Sequence, residues 1–117
     1  MPTHHTVSYV ELSVSDLASA GDFYRTAFGW QLTDFGPSYA GFRDDPSSEE
    51  EGGGLAASSE RPGRPLVLLF SDDLDATVRA VEAAGGTVTD GPYEFPGGRR
   101  FHFTDPSGNE LGVYSAT

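Results

Sequence analysis

The chain has 117 residues, no cysteine and a formal net charge of −11 at pH 7. Its size suits one small domain or two half-domains sharing a core, and the absent thiols exclude disulfides, a thiolate nucleophile and zinc–thiolate sites. All seven cations are arginines, which excludes lysine Schiff-base chemistry and lysine-anchored pyridoxal phosphate. The acidic field repels nucleic acid and anionic membranes, so neither is expected as a partner. That field also attracts cationic ligands, although it serves solubility equally well. No run reaches the roughly 20 apolar residues of a membrane helix. The beginning of the chain lacks the charged and apolar regions of a secretory signal, so a cytoplasmic protein is expected.

Residues 1–5 read as a loose tail carrying His4 and His5. Residues 6–14 alternate as a strand, with Val10, Leu12 and Val14 on one face and Tyr9, Glu11 and Ser13 on the other. Ser15 or Asp16 then caps a helix over about 17–28. Leu17, Ala20, Tyr24, Ala27 and Phe28 form its apolar stripe, and Gly29 stops it. Two strands follow, Trp30–Phe35 and Tyr39–Arg43, turned by Gly36-Pro37-Ser38. The acidic, glycine-rich stretch Asp44–Gly54 reads as a solvated, mobile loop. A short strand over Leu55–Ser59 precedes the linker 60–65, ERPGRP. Leu66–Phe70 is the next strand. A helix over about 73–84 points Leu74, Val78 and Val81 inward and ends at Gly85-Gly86. Thr87–Thr89 is a short strand. Phe101–Thr104 and Glu110–Tyr114 form a hairpin across Asp105-Pro106-Ser107-Gly108-Asn109.

The chain is written twice. Shifted by about 57 residues, Val10 falls on Val67, Leu12 on Leu69, Asp16 on Asp73, Leu17 on Leu74 and Gly29 on Gly86. Each copy reads strand, helix, then three strands. The expected organisation is a first module over 6–59, a linker over 60–65 and a second module over 66–115.

The stretches VELSVSDLASAGDFYRTAFGW and FHFTDPSGNELGVY, taken in order and with the repeat, resemble the vicinal oxygen chelate superfamily. Its members include glyoxalase I, bleomycin-resistance proteins, fosfomycin-resistance enzymes and extradiol dioxygenases. The resemblance implies an α+β fold of two βαβββ modules around a cupped cavity, with modules paired across a homodimer. It also says where metal-binding members carry their ligands. Here those positions hold Tyr9, its counterpart Leu66, and Gly112. Leucine and glycine side chains have no donor atom and a neutral phenol is a poor one, so no metal and no cofactor are expected. A displaced site using Glu110, Glu11 and His102 is the alternative.

By the same alternation, Tyr9, Glu11 and Ser13 face the cavity, as do Leu66, Leu68 and Phe70. Glu110 and Tyr114 face it too, with Gly112 leaving room between them. Positions matching Arg100 and His102 aim at the ligand in fosfomycin-resistance enzymes, which leaves Phe101 and Phe103 for the helices. A one-residue slip would invert every one of these assignments. Trp30 is a further candidate ligand contact, and Tyr39 and Phe42 belong to the wall or to a dimer seam. Such a pocket is apolar and aromatic with a few polar handles, the character of a small-molecule site. Glu11 has two readings: a ligand partner or general base, or a structural ion pair with Arg100. His102 is either a hydrogen-bonded structural residue or a catalyst. Asp105 and Asn109 read as turn residues that bond backbone, and Gly52-Gly53-Gly54 lacks the ending of a phosphate loop.

Three functions follow from the resemblance. One is a metal-independent protein that sequesters an aromatic or cationic compound, as bleomycin-resistance proteins do. Another is a metal-free isomerase, lyase or hydrolase with Glu11 and His102 as the acid–base pair. The last is a metal-dependent glyoxalase I-type lyase, which the missing ligands oppose. Fold alone does not choose among them.

Overall fold

In a computed structural model, residues 2–57 and 64–117 are described, and they contain eight strands and two helices. The chain divides into two compact units, Tyr9–Pro65 and a second made of residues 1–8 with Leu66–Thr117. The linker expected over 60–65 lies mostly outside the described residues, as do positions 58–59.

The first unit runs β1 (Val7–Val14), α1 (Leu17–Phe28), β2 (Gln31–Asp34), β3 (Tyr39–Arg43) and β4 (Gly53–Ala57). Its strands are ordered β2-β3-β4-β1, with β1 parallel to β4 and the other pairs antiparallel. Asp16 is the N-cap of α1, its carboxylate accepting from Ala18 N at 3.1 Å. Gly29 ends the helix with φ +73°, its N–H returning to Arg25 O. One face of the sheet packs on this helix. There Ala40, Phe42 and Leu55 are buried.

The apolar stripe of α1 differs from the expected one. Gly21 is its buried residue, because a Cβ there would press on Leu32 of β2. Ala27 and Phe28 are exposed. The helix sits close to the sheet at a glycine, and this turns the C-terminal part of the apolar row outward.

The second unit runs β5 (Leu66–Phe70), α2 (Leu74–Ala83), β6 (Thr87–Phe95), β7 (Gly98–Thr104) and β8 (Glu110–Ser115), ordered β5-β8-β7-β6. Asp73 caps α2 as Asp16 caps α1, accepting from Ala76 N at 3.1 Å. Leu74, Phe101 and Val113 form the buried cluster, with Leu69, Val78, Val81, Val88 and Phe103 packed against it. Phe101 and Phe103 therefore face the helix, and the register expected for β7 stands.

Three local expectations change. The first residues are not a loose tail: His5 N donates to Phe70 O at 2.7 Å, and His5 Nε2 meets Thr77 Oγ1 at 2.9 Å. The strand beginning at Thr87 continues to Phe95 through two register shifts, across a Gly-Pro pair that reads as a breaker in sequence. The acidic loop is anchored at its end, where Gly52 N donates to Phe42 O and Val10 N to Gly52 O. Strand β4 thus starts at Gly53, two residues before the expected position.

The Asp105–Asn109 turn is built from its own polar groups. Asp105 Oδ1 accepts from Ser107 N and Asn109 N, both at 2.9 Å, and Oδ2 accepts from Asn109 Nδ2 at 2.8 Å. The Asn109 side chain, then these backbone donors, hold the carboxyl below its ordinary range. A depressed carboxyl stabilises the fold above the ordinary carboxylate range and loses that contribution as pH falls through the folded value. Asp105→Asn should therefore lower the melting temperature at pH 7. The gap from wild type should close as the buffer is taken to pH values where Asp105 is protonated. A gap that stays constant with pH contradicts the assignment. In the core, Phe101→Ala should cost about 3–5 kcal/mol in urea unfolding, since Phe101 is fully buried.

Candidate functional site

Strand alternation sends Tyr9 and Glu11 away from α1, and the register fixes what they meet. Glu11 lies opposite Gly54 of β4, which lies opposite Gly41 of β3. Three strands thus cross at a row with one side chain and two glycines. Tyr39, two residues before Gly41, fills the vacant volume. Its hydroxyl meets the Tyr9 hydroxyl at 2.6 Å and donates to Glu11 Oε2 at 3.3 Å. A Cβ at Gly54 would overlap the Tyr39 hydroxyl and come within 2.6 Å of the Tyr9 hydroxyl. Burial pushes the Tyr39 phenol well above its ordinary value, and Tyr9 and Glu11 push it the same way. Tyr39 is therefore a neutral donor held between a phenol and a carboxylate.

The Glu51 carboxylate lies over Gly41, where a side chain at 41 would have been. Burial raises its pKa. Ser13 shares the face of Tyr9 and Glu11, opposite Ala56. Trp30 does not share it. Its ring is stacked between Tyr24 at 4.7 Å and Phe42 at 4.3 Å, on the helix side. Trp30 is thus corrected from ligand contact to core, and Phe42, 4% exposed, is core with it. The residue sits just before β2, where α1 and β3 close over it. A groove of about 640 Å³ that includes Asp16, Gly21, Leu32 and Ala40 also lies on this helix side, away from Glu11.

In the second unit the helix-free face carries Leu66, Leu68 and Phe70 from β5, Glu110 and Tyr114 from β8, and Arg100 and His102 from β7. Gly112 lies opposite both Leu68 and His102. The room expected at Gly112 is already taken, because a Cβ there would overlap Leu68 Cδ2. Leu66 and Leu68 are buried floor. Phe70 and Tyr114 meet edge to face at 5.3 Å, and the Tyr114 hydroxyl meets Ser8 Oγ at 2.6 Å.

His102 is the hub of this face. Its Nδ1 lies 3.7 Å from Glu110 Oε2, and its Nε2 lies 2.9 Å from the Tyr93 hydroxyl and 3.3 Å from Arg100 Nη2. The Arg100 guanidinium lies 5.8 Å from the Tyr93 ring centroid and 5.9 Å from that of Phe95. Sequence reasoning missed Tyr93 and Glu51 as members of these faces, and it placed Tyr39 in the wall or a dimer seam without its partners. Tyr93 and Phe95 alternate, which is the signal that reveals a strand through the Gly-Pro pair.

Comparison with known proteins fits this arrangement. Residues 4–113 match the Glyoxalase/Bleomycin resistance protein/Dioxygenase superfamily. The chain belongs to that superfamily. A Mycolicibacterium smegmatis protein is 33% identical over 95% of this chain and 94% of its own length. The anthracycline biosynthesis protein DauV of Streptomyces sp. (strain C5) is 34% identical over 92% of this chain, which spans 40% of DauV. Among solved structures, the Mn(II)-bound glyoxalase of Novosphingobium aromaticivorans is similar at a TM-score of 0.70 and 26% identity, over 99% of this chain and 40% of that one.

Some superfamily members hold a metal, and the residues of this chain do not fit one at the equivalent positions. Leu66 and Gly112 bring no donor atom, and the Tyr9 hydroxyl is bonded to Tyr39. Among the described residues no group of three or more histidine, aspartate or glutamate side chains is placed to hold an ion. No metal step is derived. No helix of the described residues is long and apolar enough to cross a membrane.

Gly54→Ala tests the glycine row. The added methyl should cost about 1–3 kcal/mol by overpacking. In a Tyr39→Ala background the same change should cost much less, giving a coupling of about 0.5–3 kcal/mol in a double-mutant cycle. Equal costs in both backgrounds would show that Tyr39 does not occupy the volume above Gly54.

Proposed function

We propose that this chain is a metal-independent small-molecule-binding member of the superfamily that takes up an aromatic or cationic compound. The face built by Tyr9, Tyr39 and Glu11 over Gly41 and Gly54 carries the reading. It joins two phenol rings to the carboxylates of Glu11 and Glu51, which suits an aromatic body carrying a positive charge. The net charge of −11 draws cations toward it. The name of DauV, a relative covering only part of that protein's length, points to anthracyclines as the class to try. The superfamily resemblance also carries the expectation of a homodimer, which sedimentation at micromolar concentration tests.

The experiment is a titration with an anthracycline bearing an amino sugar and with its sugar-free aglycone. Ligand emission is the readout, because Trp30 reports the helix-side stack. The glycoside should bind more tightly. Glu11→Gln should weaken it by about 1–3 kcal/mol, the scale of a hydrogen bond to a charged group, and leave the fold intact. Unchanged affinity with a lowered melting temperature makes Glu11 a structural partner of Tyr39. Elemental analysis after dialysis should find no stoichiometric nickel, zinc, iron or manganese, and about one tightly held ion per chain would overturn metal independence.

A further inference from the structure

The two carboxylates on the helix-free face of the first unit are met differently. Glu11 accepts from the Tyr39 hydroxyl at 3.3 Å. Glu51 has no such support. Among the described residues neither a hydrogen-bond donor nor a cation meets its carboxylate, and burial raises its pKa unopposed. An ionised carboxylate only accepts, with about four lone-pair sites on its two oxygens. Partial burial takes some of their water away and supplies no donor in exchange.

The sheet sets where this carboxylate lies. Both oxygens occupy the place of a Cβ at residue 41, so the glycine is the seat that holds them. Gly41 is buried in β3, and Tyr39 stands on the same side of that strand two residues earlier. The Tyr39 ring lies 6.4 Å from the ring of Phe35, which is 57% exposed. A large apolar ring left in water beside a phenol gives an aromatic body a wall, and the Glu51 oxygens give a cation its acceptor. We propose that Glu51 is a specificity-determining residue that selects aromatic ligands whose cation carries N–H donors, a primary or secondary ammonium in preference to a quaternary one. This rests on the small-molecule-binding reading and adds to it the kind of cation. A quaternary ammonium also satisfies the rings and the charge, because attraction to a ring face needs no hydrogen. It brings no donor to the Glu51 oxygens, and its methyl groups hold its charge farther from them.

Equilibrium binding of 2-(aminomethyl)anthraquinone and of its N,N,N-trimethylammonium counterpart to the full chain at pH 7 tests the inference, since both compounds are monocations there. Wild type should favour the primary ammonium by about tenfold. Glu51→Ala should bring that ratio to near one, losing affinity chiefly for the primary ammonium. Gly41→Ala keeps the carboxylate but takes its seat, and it should lower the ratio as well. A merely structural Glu51 would weaken both compounds alike when removed and leave the ratio standing. Wild-type affinities that are equal, or that favour the quaternary compound, overturn the inference. So does a preference that survives Glu51→Ala in a protein shown folded by circular dichroism. In each of these cases binding of a cationic aromatic still stands. If neither compound nor the anthracycline binds, the small-molecule reading falls and takes this inference with it.

Discussion

The row Glu11, Gly54 and Gly41 is the constraint on which the first unit turns. Three paired strands bring these Cα positions into line, and two of them have no side chain. Only that vacancy lets Tyr39 lie across β4 and reach both Tyr9 and Glu11. A larger residue at 54 would evict the hydroxyl from its place. The same row then fixes the other side of the sheet, where Phe42 stands opposite Gly53 and Ala40 opposite Leu55. Trp30 stacks on Phe42, and Tyr24 on Trp30. The polar face and the aromatic core are thus two consequences of one register, and a slip of one residue would exchange them.

That arrangement also governs charge. A partly buried carboxylate costs desolvation unless a donor meets it, and Tyr39 is such a donor for Glu11. Tyr39 can fill the role because burial keeps its phenol protonated far above its ordinary range. The second unit solves the equivalent problem in the opposite sense. His102 is about nine-tenths buried, and its ring nitrogens are divided between a carboxylate on one side and donors on the other.

Much of this was legible in the sequence, and the exceptions share a cause. Alternation along β1, β7 and β8 assigned faces, since each has one apolar row that packs on a helix, whereas β5 is apolar on both faces and its sides follow from the repeat. Helix starts were legible because Asp16 and Asp73 are acceptors placed just before apolar rows. Trp30 failed because a residue at a strand's entrance has no alternating neighbours to fix its side, and stacking decided instead. Tyr93 was hidden by Gly91-Pro92, whose turn chemistry outweighs a short alternating run beyond it. Glu51 was hidden for a different reason, and so was the part that Tyr39 plays within the wall. Their place depends on what is missing at Gly54 and Gly41, and a glycine in a sequence does not announce which distant side chain will use its space. Phe28 was misassigned because a helical stripe is read from hydrophobicity, whereas the close approach at Gly21 decided which side of α1 is covered.

The repeat makes the last step possible. Tyr9, Glu11 and Ser13 correspond, about 57 positions on, to Leu66, Leu68 and Phe70. In each unit the middle residue faces a glycine, Gly54 for Glu11 and Gly112 for Leu68. The glycine's space is used differently in the two. At Gly54 two phenol hydroxyls and a carboxylate converge, and at Gly112 a leucine closes the gap. The scaffold therefore kept one device, a side chain opposite a bare backbone, and placed polar chemistry on β1 and β3 in one copy and on β6 and β7 in the other. At the first strand position the two copies differ, with Tyr9 in one and Leu66, which has no donor atom, in the other. The two faces are unlike: one gathers Tyr9, Tyr39 and Glu11, and the other gathers Tyr93, Arg100, His102 and Glu110.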